Sequence, residues 1–266
     1  MTEKEKFSIK WFDVTDSTNS RIAEDRYSLP DRSVYAALFQ TAGRGQRGNI
    51  WQSAKGKNLT FSLLLKPLDY PIARHFAISE AVTLGITDYL LDKGIRASIK
   101  WPNDIYAGDR KICGILIENY LSSAILADCI IGIGLNLNQR RFDSSASNPT
   151  SVSLLRYPDG QEDTLDPREE LPALLEYIST RCDMIFTEPE RIAKDYHDKL
   201  YRRGEWHEYL DCRNDDSVSL IPTTEAAGGT KIYGCIEGVT EEGLLKMKLP
   251  EGKTAVFAFK ELRYII

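Results

Sequence analysis

Residues 59–65 (LTFSLLL) form an apolar run of strand length, which reads as a strand buried inside a sheet. Similar segments stand on both sides of it: 7–15 (FSIKWFDVT) and 33–40 (SVYAALFQ) before, and 97–100, 112–118 (ICGILIE) and 125–132 (ILADCIIG) after. Between residues 65 and 97, Pro71 at a first helical position and Gly94 past the end frame a helix. Its apolar side carries Phe76, Val82, Ile86, Tyr89 and Leu90. Asp16-Ser17-Thr18-Asn19 supplies N-cap chemistry for a shorter helix reaching about residue 27. Strands and helices interspersed in this way predict an α+β chain, a mixed sheet backed by helices.

The pattern changes after the polar stretch 143-DSSASNPTS-151. Asp166-Pro167-Arg168-Glu169 and Thr187-Glu188-Pro189-Glu190 each read as a capped helix start, the second helix ending at Gly204. Short alternating strands follow at 217–223, 231–239, 244–249 and 254–259, punctuated by Gly228-Gly229, Glu242-Gly243 and Glu251-Gly252. They predict a small antiparallel barrel. At roughly 150 residues per domain, the 266 residues divide into a large domain, 1–210, and a small one, 211–266.

Several classes of function are excluded. The charged N-terminus leads into no apolar segment and no apolar stretch is long enough to cross a bilayer, so a cytoplasmic protein without membrane contact is expected. Five cysteines without a C-x-x-C pair predict buried, reduced thiols, and three histidines without H-x-x-x-H offer no zinc site of the protein's own. The net charge is −5, but residues 41–57 carry +4 and residues 93–111 carry +3, which leaves −12 for the rest. Two local basic stretches on an acidic chain fit one anion site and not the broad basic face that duplex nucleic acid requires.

Three segments carry chemistry. In 40-QTAGRGQRGNIW-51, Gly43, Gly45 and Gly48 let backbone approach a ligand while Arg44 and Arg47 can meet anionic oxygens. The spacing is not that of a P-loop. A flexible surface loop, or an arginine–glycine contact to RNA, would have the same composition. In 100-KWPNDIYAGDRKICGILIE-118, Asn103 and Asp104 sit at a strand end, Gly108-Asp109 turns the chain, and Lys111 returns toward that edge. Lys111 taken alone reads as a solvated charge, but Gly114 within an apolar strand suggests close approach of a ligand. In 131-IGIGLNLN-138, Gly132 and Gly134 alternate with apolar residues; the segment reads as a bulged strand with a polar exit, or as a strand whose Asn136 reads the edge of a base.

The order Ser17-Thr18-Asn19, Q-T-A-G-R-G-Q-R-G-x-x-W, K-W-P-N-D, K-x-x-G-I-L-I-E and G-I-G-L-N-L-N resembles the catalytic domain of biotin protein ligases. The motifs run from residue 17 to 138, and the two helices and terminal barrel match what that family carries next. The resemblance implies the class II synthetase-like fold of biotin/lipoate ligases with an SH3-like C-terminal barrel. It implies an ATP-dependent carbon–nitrogen ligase that forms biotinyl-5′-AMP from biotin and Mg-ATP and passes biotin to a lysine of a biotin carboxyl carrier domain. It places Ser17, Thr18, Asn19, Gln40, Gly45 and Gln46 at the biotin, and Arg44 and Lys111 as the catalytic cations that also touch it. Arg47, Trp51, Asn103, Asp104 and Asn136 fall on the nucleotide side, with Trp51 packed against adenine. Mg2+ is expected with ATP and no residue is assigned to a metal; a homodimer is a further candidate partner. Two departures stand out. Gln46 and Asn49 occupy positions where the family's loop commonly has arginine. Only sixteen residues precede Ser17, too few for the DNA-binding domain of some members, so transcriptional regulation is not expected. The rival readings are a lipoate-type ligase of the same fold and, in another class, a nucleic-acid-binding module using the Arg/Gly loop.

Overall fold

A computed structural model of the chain describes residues 6–66, 68–143, 148–160, 164–213 and 229–266. Strands β1 (Ser8–Phe12), β2 (Ser33–Ala37), β3 (Leu59–Leu65), β4 (Tyr70–Pro71), β5 (Ser98–Lys100), β6 (Asp104–Ala107), β7 (Arg110–Ser122) and β8 (Ile125–Leu135) form one sheet. Its order is β1-β2-β3-β8-β7-β6-β5, with β4 on β8 off that path. β1 and β2 run parallel; the remaining pairs are antiparallel, so the sheet is mixed as expected.

The period of two along each strand sorts its side chains between two faces. On one face Phe61, Leu63, Cys113, Ile115, Ile131 and Ile133 are buried in a single apolar cluster with α2 (Phe76–Asp92), α4 (Pro167–Thr187) and α5 (Pro189–Asp198). Helices α2 and α4 approach closely at Gly85, where a Cβ would stand 2.5 Å from the Ile178 Cα, so only glycine permits that contact. The opposite face carries α1 (Thr18–Asp25), whose Ile22 packs with Tyr35, Leu64 and Ile130 in a small second cluster. Because β3 and β8 are covered on both faces, they read in sequence as nearly continuous apolar runs.

Two element starts differ from expectation. Pro71 does not open α2; it lies in β4 opposite Ile125, an edge position that needs no N–H from it, and one 3-10 turn at Ile72–Arg74 precedes the helix. Gly94 does close it, with φ +79° and its N–H on the Leu91 carbonyl. Asp166 caps α4 through Arg168 N at 2.8 Å, as its sequence implies. Thr187 belongs to the last turn of α4, and Glu188 in a non-helical conformation separates it from α5.

The second sheet holds β9 (Trp206–Asp211), β10 (Thr230–Val239), β11 (Leu245–Lys248), β12 (Thr254–Phe257) and β13 (Leu262–Tyr264), all antiparallel, in the order β12-β11-β10-β9-β13. It therefore begins at Trp206, ahead of residue 211; the strand expected at 217–223 lies outside the described residues. Trp101 Nε1 donates to the Gly243 carbonyl at 2.9 Å and His197 Nε2 accepts from Val239 N at 2.9 Å, tying the two sheets' surroundings together. Lys100 contributes to the same seam: its ammonium stands 4.7 Å from the Tyr264 ring centroid, and burial lowers its pKa.

Candidate active site

The site's floor follows from strand register. Gly134 of β8 stands between Gly114 of β7 and Thr60 of β3, and Gly132 between Leu116 and Ser62. The pairing runs without a shift through both glycines, so this part of β8 is a regular strand and the bulged reading is not borne out. Since Leu64 and Ile130 point at α1, the alternation puts Gly114, Gly132 and Gly134 on that face as well. Three positions without side chains leave a trough in the sheet. Its contents are close: a Cβ on Gly132 would stand 2.2 Å from Asn19 Oδ1, and one on Gly134 2.1 Å from Trp51 Cε2. Trp51 reaches Gly114 too, and its buried Nε1 has no hydrogen-bond partner among the described residues.

One end of the trough is the N-terminus of α1. Thr41 N and Ala42 N donate to the Thr15 and Asp16 carbonyls at 2.9 Å, which lays the start of the glycine loop beside the helix cap. Ser17 is the N-cap residue, buried, but its side chain makes no capping bond. Instead Gln40 Oε1 takes the Thr18 N–H at 2.7 Å. From there polar groups continue inward: Thr18 Oγ1 lies 2.7 Å from Ser62 Oγ, Ser62 donates to Asn19 Oδ1, and Asn19 Nδ2 donates to Glu118 Oε2 at 2.7 Å. Asp16, beside this end, has its pKa lowered by the Ser17 amide and the Thr15 hydroxyl, so it stays anionic.

The loop itself closes on its own backbone. Trp51 N donates to the Gly43 carbonyl at 3.0 Å and Gly45 N to the Asn49 carbonyl at 2.7 Å, around a 3-10 turn at Gln46–Gly48. Gly43 permits this, since a Cβ there would meet the Trp51 carbonyl at 2.3 Å. The Arg44 guanidinium pairs with Glu118. Gln46 is half-buried, its Oε1 without a partner among the described residues. A cavity of about 580 Å³ lies under the loop, lined in part by Thr41, Gly43, Arg44, Ile50, Leu116 and Glu118.

Lys111 stands at the other end. In β6–β7, Cys113 pairs with Ile105 but Lys111 with Tyr106, so Ile112 is one residue in excess. Without that bulge Lys111 would point into the core; with it, the side chain turns to the face of Gly114, whose Cβ would come within 3.2 Å of Lys111 Cε. Both backbone groups of Lys111 are held, its N–H by the Asn148 carbonyl and its carbonyl by Thr150 N, each at 2.8 Å. The ammonium pairs with Asp104 at 2.7 Å and lies 5.8 Å from the Trp51 ring centroid. Gly114 and Glu118 are four residues apart on β7, so the Lys111 and Arg44 ends are separated by about 13 Å along the strand.

Ser17, Thr18, Asn19, Gln40, Arg44, Gly45, Trp51, Asp104 and Lys111 thus share one face of the sheet or its rim. Two residues have mainly structural contacts. Asn103 Nδ2 is spent on the Ile115 carbonyl, and Asn136, buried, donates from Nδ2 to the Thr150 carbonyl at 2.9 Å and keeps only Oδ1 without a partner among the described residues. Arg47 lies in the 3-10 turn, and its side chain is outside the described residues. Sequence reasoning assigned no ligand role to Gly132, Gly134, Ser62 or Glu118. Glycines spaced by two in an apolar strand were the available signal. Cys113, by contrast, is inert, since burial pushes its thiol far up.

Residues 11–136 match the model of the Biotin/lipoate A/B protein ligase family. The chain is 31% identical over 245 residues to the bifunctional ligase/repressor BirA of Escherichia coli, an alignment covering 91% of this chain and 69% of that protein. It is 33% identical to biotin–protein ligase 2 of Arabidopsis thaliana, covering 95% and 75% of the two chains. It is 27% identical to the biotin–[acetyl-CoA-carboxylase] ligase of Paracoccus denitrificans, covering 91% and 95%. Among solved structures, the biotin protein ligase of Aquifex aeolicus in complex with biotin and ATP superimposes with a TM-score of 0.75 at 26% identity, covering 97% of this chain and 99% of that one. With the fold, the motif order and these relatives in agreement, the chain belongs to the biotin/lipoate A/B protein ligase family, among its biotin–protein ligases.

Proposed function

We infer that this chain is an ATP-dependent biotin–protein ligase. A biotin carboxylate oxygen attacks the α-phosphorus of ATP, pyrophosphate leaves, and the product is biotinyl-5′-AMP. A lysine amine of a carrier domain then attacks the acyl carbon, AMP leaves, and the amine's proton is lost as the amide forms. The observation that carries this reading is the glycine-floored trough with neutral hydrogen-bonding groups at one end and cations at both.

The ring system of biotin is apolar apart from a ureido group, which suits bare backbone beneath it and the Ser17, Thr18, Asn19 and Gln40 side chains around it. Arg44, at the loop, and Lys111, at the nucleotide end, neutralise carboxylate and phosphoryl oxygens; Lys111 does so as a compact point charge. No protein nucleophile enters either step, so the site acts by alignment and charge. Mg2+ enters with the nucleotide as the counter-ion of its phosphates. Gly45 and Gln46 remain on the biotin side, and Arg47, Asn103, Asp104 and Asn136 on the nucleotide side, the two asparagines acting chiefly by holding backbone. The name of the Paracoccus denitrificans relative supports a biotin carboxyl carrier domain as the acceptor.

Incubation with biotin, ATP and magnesium should yield biotinyl-AMP detectable by mass spectrometry, and its absence would refute the ligase reading. Trp51 covers Gly134, two residues along β8 from the position that Asn19 covers, which supports a role for it on the nucleotide side. Trp51→Ala should accordingly raise KM for ATP more than KM for biotin in pyrophosphate-release assays; equal effects argue against the placement.

A further inference from the structure

A carboxylate beside an anion-binding arginine calls for an explanation, because it opposes the positive potential the site needs. Glu118 is such a group: it lies in the cavity wall on the trough face of β7 and pairs with Arg44. Its other oxygen takes Asn19 Nδ2 at 2.7 Å.

We propose that Glu118 is a positioning residue that sets the direction of the Thr18–Ser62–Asn19 side-chain hydrogen bonds at the α1 end of the trough; this rests on the ligase reading and deepens it. An ionised carboxylate can only accept, so Asn19 must turn its Nδ2 toward Glu118 and its Oδ1 toward Ser62 and Gly132. Ser62 has one hydroxyl proton and gives it to Asn19 Oδ1, so the 2.7 Å contact between the two hydroxyls is bridged by the Thr18 proton, which is drawn there in preference to Gln40 Oε1 at 3.1 Å. That leaves Gln40 Oε1 to the Thr18 N–H. Donor direction therefore runs from Thr18 through Ser62 and Asn19 to one anion, and the atoms left for a ligand's ureido group are fixed before it arrives. The same carboxylate holds the Arg44 guanidinium against the cavity wall, where an incoming carboxylate or phosphoryl group can take it over.

The test relocates the anion. Glu118→Gln offers Asn19 either a donor or an acceptor, so the direction is lost; KM for biotin should rise about tenfold while KM for ATP changes less than about threefold. Asn19→Asp alone sets two carboxylates against each other and should be at least as impaired. In the double variant Asn19→Asp/Glu118→Gln, the carboxamide introduced on β7 can donate to the new carboxylate on α1, whose other oxygen still accepts from Ser62. The direction from Thr18 through Ser62 to position 19 returns, with only the bond between positions 19 and 118 reversed, and KM for biotin should recover to within about threefold of wild type, the melting temperature serving as control for folding. An unchanged KM for biotin in Glu118→Gln, an equal rise for both substrates, or a double variant no better than the worse single one overturns this inference alone. A wild-type chain that makes no biotinyl-AMP overturns the ligase reading, and the inference with it.

Discussion

Lys111→Ala should reduce biotinyl-AMP formation by about 10²–10³, the usual cost of removing one preorganised charge-stabilising group from a reacting centre. The fold should survive the change. The Lys111 and Asp104 side chains are 28% and 19% exposed, so water still reaches the Asp104 carboxylate when the lysine is gone and no fully buried charge is left unpaired. The bulge that turns Lys111 into the trough is held by backbone bonds to Asn148 and Thr150 that alanine retains. Pyrophosphate release in the presence of biotin measures the effect directly, and a rate near that of the parent would remove Lys111 from the chemistry.

Gly132→Ala should weaken biotin binding by at least about 100-fold, equivalent to about 2.8 kcal/mol, as judged by titration calorimetry. The backbone accepts alanine there, since Gly132 is in a regular strand and is not among the positive-φ glycines. The added methyl, however, would occupy the place of Asn19 Oδ1, only 2.2 Å away. Asn19 must move, which breaks its bonds to Ser62 and Glu118 together, the latter charge-assisted. A dissociation constant within about threefold of the parent's would show that the trough is not where biotin lies.

The two strongest strands, the capped α4 and the loop's glycine content were all legible in sequence because each rests on local chemistry: side-chain period, a capping aspartate, a backbone that must bend. The trough was not. Its glycines share a face only because β3, β8 and β7 pair in one register, and Lys111 joins them only through a single excess residue in β7, a displacement that no local pattern announces. Glu118 was likewise hidden, since its partners Asn19 and Arg44 are 99 and 74 residues away. Asn103, Asn136 and Trp101 show the reverse: polar or aromatic groups near a ligand motif whose contacts turn out to anchor backbone.

The indole of Trp51 gives the chain a built-in optical reporter. Trp101 is locked to the Gly243 carbonyl, Trp206 is stacked on Tyr233, and Trp11 lies under the Arg168 guanidinium, all away from the trough. Trp51 alone among the four tryptophans rests on the glycine floor, with a buried N–H that has no partner among the described residues. Occupancy of that floor should thus shift the intrinsic emission of the wild-type chain, and Trp51→Phe should silence the shift, so that arrival of substrate can be timed by stopped flow without any attached dye.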